Sequence, residues 1–517
     1  MEHLKKRNWR KKIPPNPILL GSSAVVALMM SIPIVYVAIR GIFAGQERWL
    51  RLMDGRIPQL LWNTLSLMVV VVFLAMMIGV ILALGVTRLN VPGKKYFTWL
   101  LVMPLIIPPY VGAVAYIMIF GPTGLLGGIF PIYSFWGVAF VLTIFTYPYV
   151  YLVARASLKK MNPNLEEAAR SLGLNTFEIL WKVILPLIRP AMGAGGILVG
   201  LYVLSDFGAI SILRYNTFTS AIYYQIGGYD NLSATVLSVV LIGMTLIVLW
   251  LEGWWGRRGS YSLSSSSQKE MEMLEIGGWK YLLLILMILV VIISVLLPLG
   301  VLSYWSFIGL QRGAVDQRFF GYLLNSLKVA VLAAGISMFI GFPVVYLNSR
   351  YPSKLTMFFQ QLSYGGYALP GVIVALGIIF IFNRYIPFLY GSSFLIVIAY
   401  IIRFLPQGMQ SGSASLESVS PRLDEAARNL GVPLWKVIGK VIFPLIYPGV
   451  FAGGALIFVS SMKELPATLL LRPPGFDTLA VRVWVEASEA IYHMAAPSAL
   501  IIVIVSIIPI KVLMDKY

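Results

Sequence analysis

The chain contains no cysteine and only two histidines, His3 and His493, among its 517 residues. These absences exclude disulfides, iron-sulfur clusters and thiolate zinc sites, and they leave oxygen as the ligand atom for any metal ion that the protein handles. Charged residues are also scarce, at 12%, whereas hydrophobic residues make up 59% and the mean hydropathy is +0.84. Soluble domains carry about 25% charged residues, so this composition indicates a protein that lies in the lipid bilayer.

Acidic residues are few, and the net charge is therefore +19. The basic residues lie in short segments between apolar runs, which argues against a nucleic-acid partner and for the charge bias of membrane topology. Most of them fall on the side of the basic tail at residues 1–12, so we expect both termini in the cytoplasm and a retained first span. Apolar stretches of about 20 residues, enough to cross a bilayer, start near Ile18, Leu60, Phe97, Ile132, Met192, Leu232, Tyr281, Tyr322, Met357, Phe394, Gly449 and Ala495.

The two halves of the chain repeat each other. Residues 164–190 align without gaps with residues 422–448, 258 positions later, and 14 of the 27 pairs are identical. Residues 253–278 have no apolar period and predict a flexible cytoplasmic linker between the halves 1–252 and 279–517. Each half has six predicted spans, so both enter the membrane in the same orientation. The predicted fold is an all-α polytopic membrane protein with 12 transmembrane helices in two parallel six-helix repeats.

The best-matched part of the repeat is a polar loop, at about residues 155–190 and 408–448. Its two copies share a Glu-Ala-Ala triplet followed by three residues and a glycine: Glu167, Ala168, Ala169 and Gly173, then Glu425, Ala426, Ala427 and Gly431. Before each triplet stand a capping residue, a proline and an acidic residue that favours the positive end of a helix: Asn162, Pro163 and Glu166, then Ser420, Pro421 and Asp424. This punctuation predicts a short surface helix that ends at the glycine. It either lies on lipid or docks on a partner, and two matched copies favour a pair of identical partners.

The loop resembles the EAA loop of the membrane subunits of bacterial ABC importers. The resemblance implies the type I importer fold, with one fused permease chain per complex. It also implies that the triplets and glycines contact two copies of an ABC ATPase, because in that family this segment is the coupling helix. The chain has no G-x-x-x-x-G-K-[ST] phosphate loop, so ATP and Mg²⁺ belong to the partner and this chain has no cofactor or catalytic site of its own.

Two acidic residues occupy equivalent positions near the outer parts of the fifth and eleventh predicted spans, Asp206 and Glu464. Acidic side chains inside membrane spans are costly and usually functional. They either line a central pathway, as transient ligands of a cation, or pair with nearby bases such as Lys463, Arg214 or Arg472. We expect no stable metal site.

The segment 462–482 and its counterpart around Asp206 resemble the corresponding segments of the fused permeases of ferric-iron ABC importers. The resemblance extends over nearly the whole chain. This resemblance implies Fe(III) as the substrate, a periplasmic iron-binding protein as a partner, and the bacterial inner membrane as the location. Arg214 and Arg472, in outer loops, are candidate contacts of that binding protein. Thiamine, a polyamine or another small solute remains an alternative substrate, and a proton-coupled secondary transporter is the alternative of another class.

Overall fold

The computed structural model describes residues 16–258, 273–367 and 369–514, with side chains omitted for 252–258 and 508–514. The predicted basic tail, including His3, and residues 259–272 of the predicted linker lie outside the described residues. Within the described ranges, all regular secondary structure is helical apart from one isolated parallel bridge between Leu89 and Leu274. The prediction of an all-α polytopic protein is therefore confirmed.

The helices of the first half are separated by short turns, with a 3₁₀ helix at Met103–Ile106 and a π turn at Leu180–Ile184. They are α1 (Pro17–Ile42), α2 (Gln46–Met53), α3 (Arg56–Thr87), α4 (Lys94–Leu100), α5 (Pro109–Phe120), α6 (Phe135–Lys159), α7 (Asn164–Ser171), α8 (Thr176–Ile179), α9 (Leu185–Ser205), α10 (Gly208–Ile212), α11 (Phe218–Gly227) and α12 (Asn231–Arg258).

The second half follows the same order, with π turns at Ile292–Leu296 and Ile438–Ile442 and a 3₁₀ helix at Pro387–Leu389. Its helices are α13 (Trp279–Val291), α14 (Leu297–Gln311), α15 (Gln317–Arg350), α16 (Lys354–Tyr364), α17 (Gly371–Tyr385), α18 (Phe394–Glu417), α19 (Pro421–Asn429), α20 (Leu434–Val437), α21 (Phe443–Met462), α22 (Pro466–Leu471), α23 (Leu479–Ser488) and α24 (Tyr492–Met514).

Nine helices in the described part of the chain are long and apolar enough to cross a membrane. A tenth crossing results if Lys94–Ile106 and Pro109–Phe120, which meet at 93°, form one broken span. The ninth predicted span contains α16 and the shorter apolar helix Gly371–Tyr385, and the twelfth corresponds to α24, Tyr492–Met514. Each of the twelve predicted segments is thus largely helical, but the third and the ninth differ from a single long helix.

Proline explains the break in the third span of each half. Ile107 is extended, with ψ 115°, and Pro108 has φ −59° and ψ 137°. Pro370, at the equivalent place, has φ −55° and ψ 139° and precedes α17. A proline lacks the N–H that a helix interior needs, and it disfavours helical backbone at the residue before it.

The fifth and eleventh spans begin well before their predicted starts near Met192 and Gly449. Both helical segments, Thr176–Ser205 and Leu434–Met462, begin close after the Glu-Ala-Ala helix and pass through a π turn into the apolar stretch. The early turns contain charged side chains, so the apolar stretch in the sequence starts later than the helix itself. The polar loop and the span behind it therefore form one nearly continuous helical element.

The chain divides into two compact units. Unit 1 comprises Met1–Tyr36, Leu323–Phe476 and Ile508–Tyr517, and unit 2 comprises Val37–Tyr322 and Asp477–Ile507. Most of α1 therefore belongs with the second half, whereas α13 and α14 belong with the first. The sequence repeats and the compact units are different divisions, and the boundaries 1–252 and 279–517 stay a prediction about the repeats.

Within unit 1, α1 packs into a core built from the second half. Leu19 and Met30 of α1 join a buried cluster with Ile378 and Tyr400. Gly377 lies against the proline-interrupted part of α1, where an added Cβ would come within 2.4 Å of a backbone carbonyl oxygen. The absence of a side chain at Gly377 permits this close approach.

Within unit 2, α3, α6 and α9 form a tight bundle around Val150 of α6. A Cβ at Gly79 of α3 would lie 2.8 Å from the Val150 Cβ, and a Cβ at Gly195 of α9 would lie 2.8 Å from the Val150 Cα. Small residues allow helices to pack closely in lipid, where no hydrophobic driving force holds them together. This bundle leads into α7, which connects α6 to α8.

Candidate functional site

The first Glu-Ala-Ala helix is α7, and its start is held by Asn162, whose side-chain oxygen accepts a hydrogen bond from the Asn164 N–H at 3.0 Å. Glu167 and Ala168 are exposed, whereas Ala169 is buried. Gly173 follows with φ +80°, a left-handed conformation that terminates the helix and favours glycine.

The second copy is α19, and it repeats this geometry. The Ser420 hydroxyl accepts a hydrogen bond from the Arg422 N–H at 3.4 Å, and Pro421 is the first helical residue. Glu425 and Ala426 are exposed, and Ala427 is half-buried. Gly431 has φ +78°. In both copies the helix starts at or directly after the proline and stops at the glycine, as the sequence predicts. The first two residues of the triplet are exposed, but the third is buried in α7 and half-buried in α19.

Exposed apolar side chains lie at matching positions in and just after each Glu-Ala-Ala helix. Leu172 is 82% exposed and its counterpart Leu430 is 83% exposed. The other matched pairs are Leu165 with Leu423 and Phe177 with Trp435. An apolar patch that recurs around an exposed polar helix is typical of a protein-binding surface.

The acidic residue before each triplet is not a surface charge. Glu166 is buried in an ion pair with Arg88, which follows α3 directly. Asp424 is buried in an ion pair with Arg350, the last residue of α15, and the Arg350 Nε lies 2.9 Å from the Asp424 Oδ2. The expectation that these carboxylates only favour the helix N-terminus is therefore incomplete. Sequence reasoning missed both arginines.

A signal for the arginines was present in the repeat. Arg88 and Arg350 lie 262 residues apart, the same offset that relates Asn63 to Asn325. A base repeated at the end of the second span, together with an acid repeated in the loop, could have suggested the pairing. Burial raises the pKa of the Glu166 carboxyl above its ordinary value, although Arg88 acts in the opposite direction.

Asp206 directly follows α9 and caps the short helix α10. One carboxylate oxygen accepts hydrogen bonds from the Ala209 and Ile210 N–H groups at 3.1 and 3.2 Å. The Thr219 hydroxyl donates to the Asp206 backbone carbonyl at 2.6 Å. Asp206 is buried, and among the described residues of unit 2 no basic side chain forms an ion pair with it.

Glu464 also caps a short helix, α22, where one carboxylate oxygen accepts a hydrogen bond from the Ala467 N–H at 3.1 Å. The other oxygen forms an ion pair with Arg403 of α18, and both side chains are largely buried. A Cβ at Gly371 would lie 2.7 Å from the nearer Glu464 oxygen, so the start of α17 packs directly on this pair. The base is thus 61 residues upstream, unlike the neighbours Lys463 and Arg472 that the sequence suggested.

The two arginines predicted to lie in outer loops are found in different units. Arg214 adopts φ +57°, is exposed, and places its guanidinium carbon 5.2 Å from the centre of the Tyr133 ring. Arg472 follows α22 and is half-buried. Across the described ranges, no group of three His, Cys, Asp or Glu side chains is arranged to hold a metal ion.

Two segments of the chain, residues 75–261 and 333–515, match the model of the family described as "Binding-protein-dependent transport system inner membrane component". The first match ends inside the predicted linker, and the second begins inside α15. The family pattern therefore occurs once in each half. Together the matches cover most of the chain.

Individual relatives match at different lengths. The chain is 32% identical over 499 residues to "Fe(3+)-transport system permease protein FbpB 2" of Haemophilus influenzae, covering 95% of this chain and 97% of that protein. It is 24% identical over 548 residues to "Ferric transport system permease protein FbpB" of Actinobacillus pleuropneumoniae, covering 96% and 78%. It is 30% identical over 259 residues to "Sulfate permease 2, chloroplastic" of Chlamydomonas reinhardtii, covering 47% and 69%.

Proposed function

Because this chain belongs to the family of binding-protein-dependent transport system inner membrane components, we propose that it is the permease subunit of an ABC importer for Fe(III). The observation that supports Fe(III) as the substrate is that the match to an iron permease extends over the full length of the chain. A protein named as a permease of an Fe(3+)-transport system aligns with 95% of this chain. The sulfate permease aligns with only 47%.

The two exposed Glu-Ala-Ala helices support an ATPase partner on one side of the membrane. We propose that each helix binds one copy of an ABC ATPase through Glu167, Ala168 and Gly173 in α7 and Glu425, Ala426, Ala427 and Gly431 in α19. The predicted contact Ala169 is buried and packs inside the protein. The recurring apolar side chains, such as Leu172 and Leu430, extend these surfaces. ATP and Mg²⁺ would bind to the ATPase subunits, and one fused chain would serve both copies.

The buried carboxylates are not equivalent in this proposal. Asp206 accepts only backbone hydrogen bonds and forms no ion pair within its own unit, so it is the better candidate for a transient contact with a cation. Glu464 is neutralised by Arg403, and this pair has the character of a structural or gating contact. A buried acidic residue along the pathway would repel sulfate, which favours Fe(III) over an oxyanion.

The topology completes the proposal. Both termini and the Glu-Ala-Ala helices would lie in the cytoplasm, because the basic residues concentrate in the loops assigned to that side. The loops that carry Arg214 and Arg472 would then face a periplasmic iron-binding protein. An exposed arginine at a rim, such as Arg214, affects association rate and salt dependence more than affinity.

The test is ATP hydrolysis and uptake by the permease reconstituted in liposomes with its ATPase and its binding protein. We expect the Fe(III)-loaded binding protein to stimulate both activities, and matched samples with sulfate, thiamine or spermidine to stimulate neither. Stimulation by another solute would keep the importer and replace the substrate. Uptake that requires a proton gradient but no ATP would overturn the importer itself.

A further inference from the structure

The ion pairs Arg88–Glu166 and Arg350–Asp424 connect the same two elements in both halves. In each, an arginine at the end of the second span of its half meets the carboxylate in the first turn of the Glu-Ala-Ala helix. The two acids differ, glutamate in one half and aspartate in the other, yet the pairing is retained. Both pairs are contained within a single unit, Arg88–Glu166 in unit 2 and Arg350–Asp424 in unit 1.

Further hydrogen bonds hold the ends of the second and eighth spans. In unit 1, Asp424 also accepts a hydrogen bond from the Tyr346 hydroxyl at 3.0 Å, and Arg428 of α19 donates to the Tyr351 hydroxyl at 2.9 Å. In unit 2, the end of α3 is held by a different segment: the Leu274 N–H donates to the Arg88 carbonyl at 2.8 Å, and Leu274 is fully buried. The last part of the predicted linker is therefore attached to the end of α3, so the linker is not flexible throughout.

Burial of these charges costs free energy, and a gain in stability does not explain why the ion pairs are present. A buried ion pair is often no more stable than apolar residues of the same volume, whereas it strictly defines which two groups must meet. The Glu-Ala-Ala helix is already joined to the fifth span of its half by the short helix and π turn that follow it. The ion pair adds a second attachment, to the second span, which packs against the fifth through close contacts at Gly196.

We propose that Arg88–Glu166 and Arg350–Asp424 are tethers that make the second span of each half move together with its ATPase-binding helix. Movement of an ATPase subunit would then reach the second span directly, in addition to the fourth and fifth spans to which the helix is joined through the chain. Without the carboxylate, the helix would have no direct attachment to the second span. This inference rests on the proposed function, and it assigns to these four residues a positioning role rather than contact with ATP or substrate.

The first experiment measures solute uptake per ATP hydrolysed by the complete transporter in liposomes. For Glu166→Gln combined with Asp424→Asn, we expect ATPase subunits to co-purify normally while uptake per ATP falls at least about fivefold, the lower end of usual coupling between two sites. Exchange of the acids, Glu166→Asp with Asp424→Glu, keeps the charge and should preserve coupling. Lys182→Gln, which breaks the exposed pair with Glu178, is the matched control and should leave coupling unchanged.

A second measurement covers the case in which the neutral variant does not fold. The chain has no cysteine, so Asn90→Cys with Asn164→Cys allows spin labels at two exposed positions, one just after α3 and one at the start of α7. We expect the distance between the labels to be the same in the resting complex and in the complex trapped with ATP. A distance that changes between the two states would overturn the tether, as would normal coupling in the neutral variant.

These outcomes are separable from those of the proposed function. If the parent complex takes up no Fe(III) with ATP, the substrate assignment fails, but the label distance still tests the tether. If the parent transports Fe(III) and the neutral variant remains fully coupled, the tether fails alone. A neutral variant that reaches the membrane but no longer retains its ATPase would also overturn the tether, because the pair would then serve docking.

Discussion

Asp206 and Glu464 stand at equivalent positions of the two repeats, but their surroundings differ. Each carboxylate caps the short helix that follows it. Glu464 is paired with Arg403, whereas the residue equivalent to Arg403 in the first half is Phe145. The Phe145 ring packs directly on Gly112, where no Cβ would fit. In both halves the acid accepts backbone hydrogen bonds from the short helix that follows it, but only Glu464 has a basic side chain as a partner within its own unit.

This difference shows what a fused chain permits. In a permease built from two identical chains, an arginine placed beside one acid would also stand beside the other. Here each position is encoded separately, so one buried carboxylate can gain an ion-pair partner while its counterpart keeps only backbone hydrogen bonds. A buried pair and a buried single carboxylate also differ in their energetic cost, and that difference can be measured.

The largest effect is expected when the second half is made like the first. Arg403→Phe leaves Glu464 buried without its partner, which should cost about 3–5 kcal/mol because an uncompensated buried charge remains. The measurement is thermal unfolding of the purified chain in detergent, and the readout is the loss of the monodisperse species.

The matched control adds Glu464→Leu to Arg403→Phe. Because an apolar pair of similar volume is often as stable as a buried ion pair, most of the lost stability should return. A double variant no more stable than Arg403→Phe would show that Glu464 is needed for another reason, such as its cap on α22.

The second prediction separates the two acids by function. Asp206→Asn keeps a side-chain oxygen that can accept the hydrogen bonds of α10 but removes the charge, and we expect Fe(III) uptake to fall by about tenfold or more, as when one hydrogen bond to a charged group is lost. Radioactive iron uptake into liposomes with the complete transporter provides the measurement. The comparison variant is Glu464→Leu in the Arg403→Phe background, whose uptake should fall much less. Equal losses would mean that the two positions act as one site despite their different partners.

The sequence was sufficient for the features that depend on local pattern. The Glu-Ala-Ala helices, with their capping residues and terminal glycines, were predicted because a cap and a stop act within a few residues. Pro108 and Pro370, which lie 262 residues apart like Arg88 and Arg350, give a further local signal, because proline chemistry predicts the break that they cause. The apolar composition predicted the helical spans for the same local reason.

Long-range contacts were not predictable in the same way. Arg88 and Arg350 recur at a constant offset, so the repeat contained a usable signal for their role. Arg403 occurs in one half only, and nothing near Glu464 in the sequence indicates it. Similarly, no local pattern shows that α1 belongs to a unit with the second half, because the apolar surface of a span does not identify the helix that covers it.

The smallest effect tests how tightly the Arg403–Glu464 pair is packed. A Cβ at Gly371 would lie 2.7 Å from a Glu464 oxygen and 2.8 Å from an Arg403 nitrogen, so Gly371→Ala should displace the pair at a cost of roughly 1 kcal/mol, the low end for overpacking, because both side chains can shift. Thermal unfolding in detergent measures the cost. Gly335→Ala, on an exposed face of α15 with no atom within 4 Å of the added Cβ, is the control and should not destabilise the protein.

If Gly371→Ala is as harmless as the control in the parent chain, the Arg403–Glu464 pair has room to separate, and its character is that of a movable gate. If the cost appears in the parent and disappears in the Arg403→Phe, Glu464→Leu background, the rigid pair itself is what the glycine accommodates.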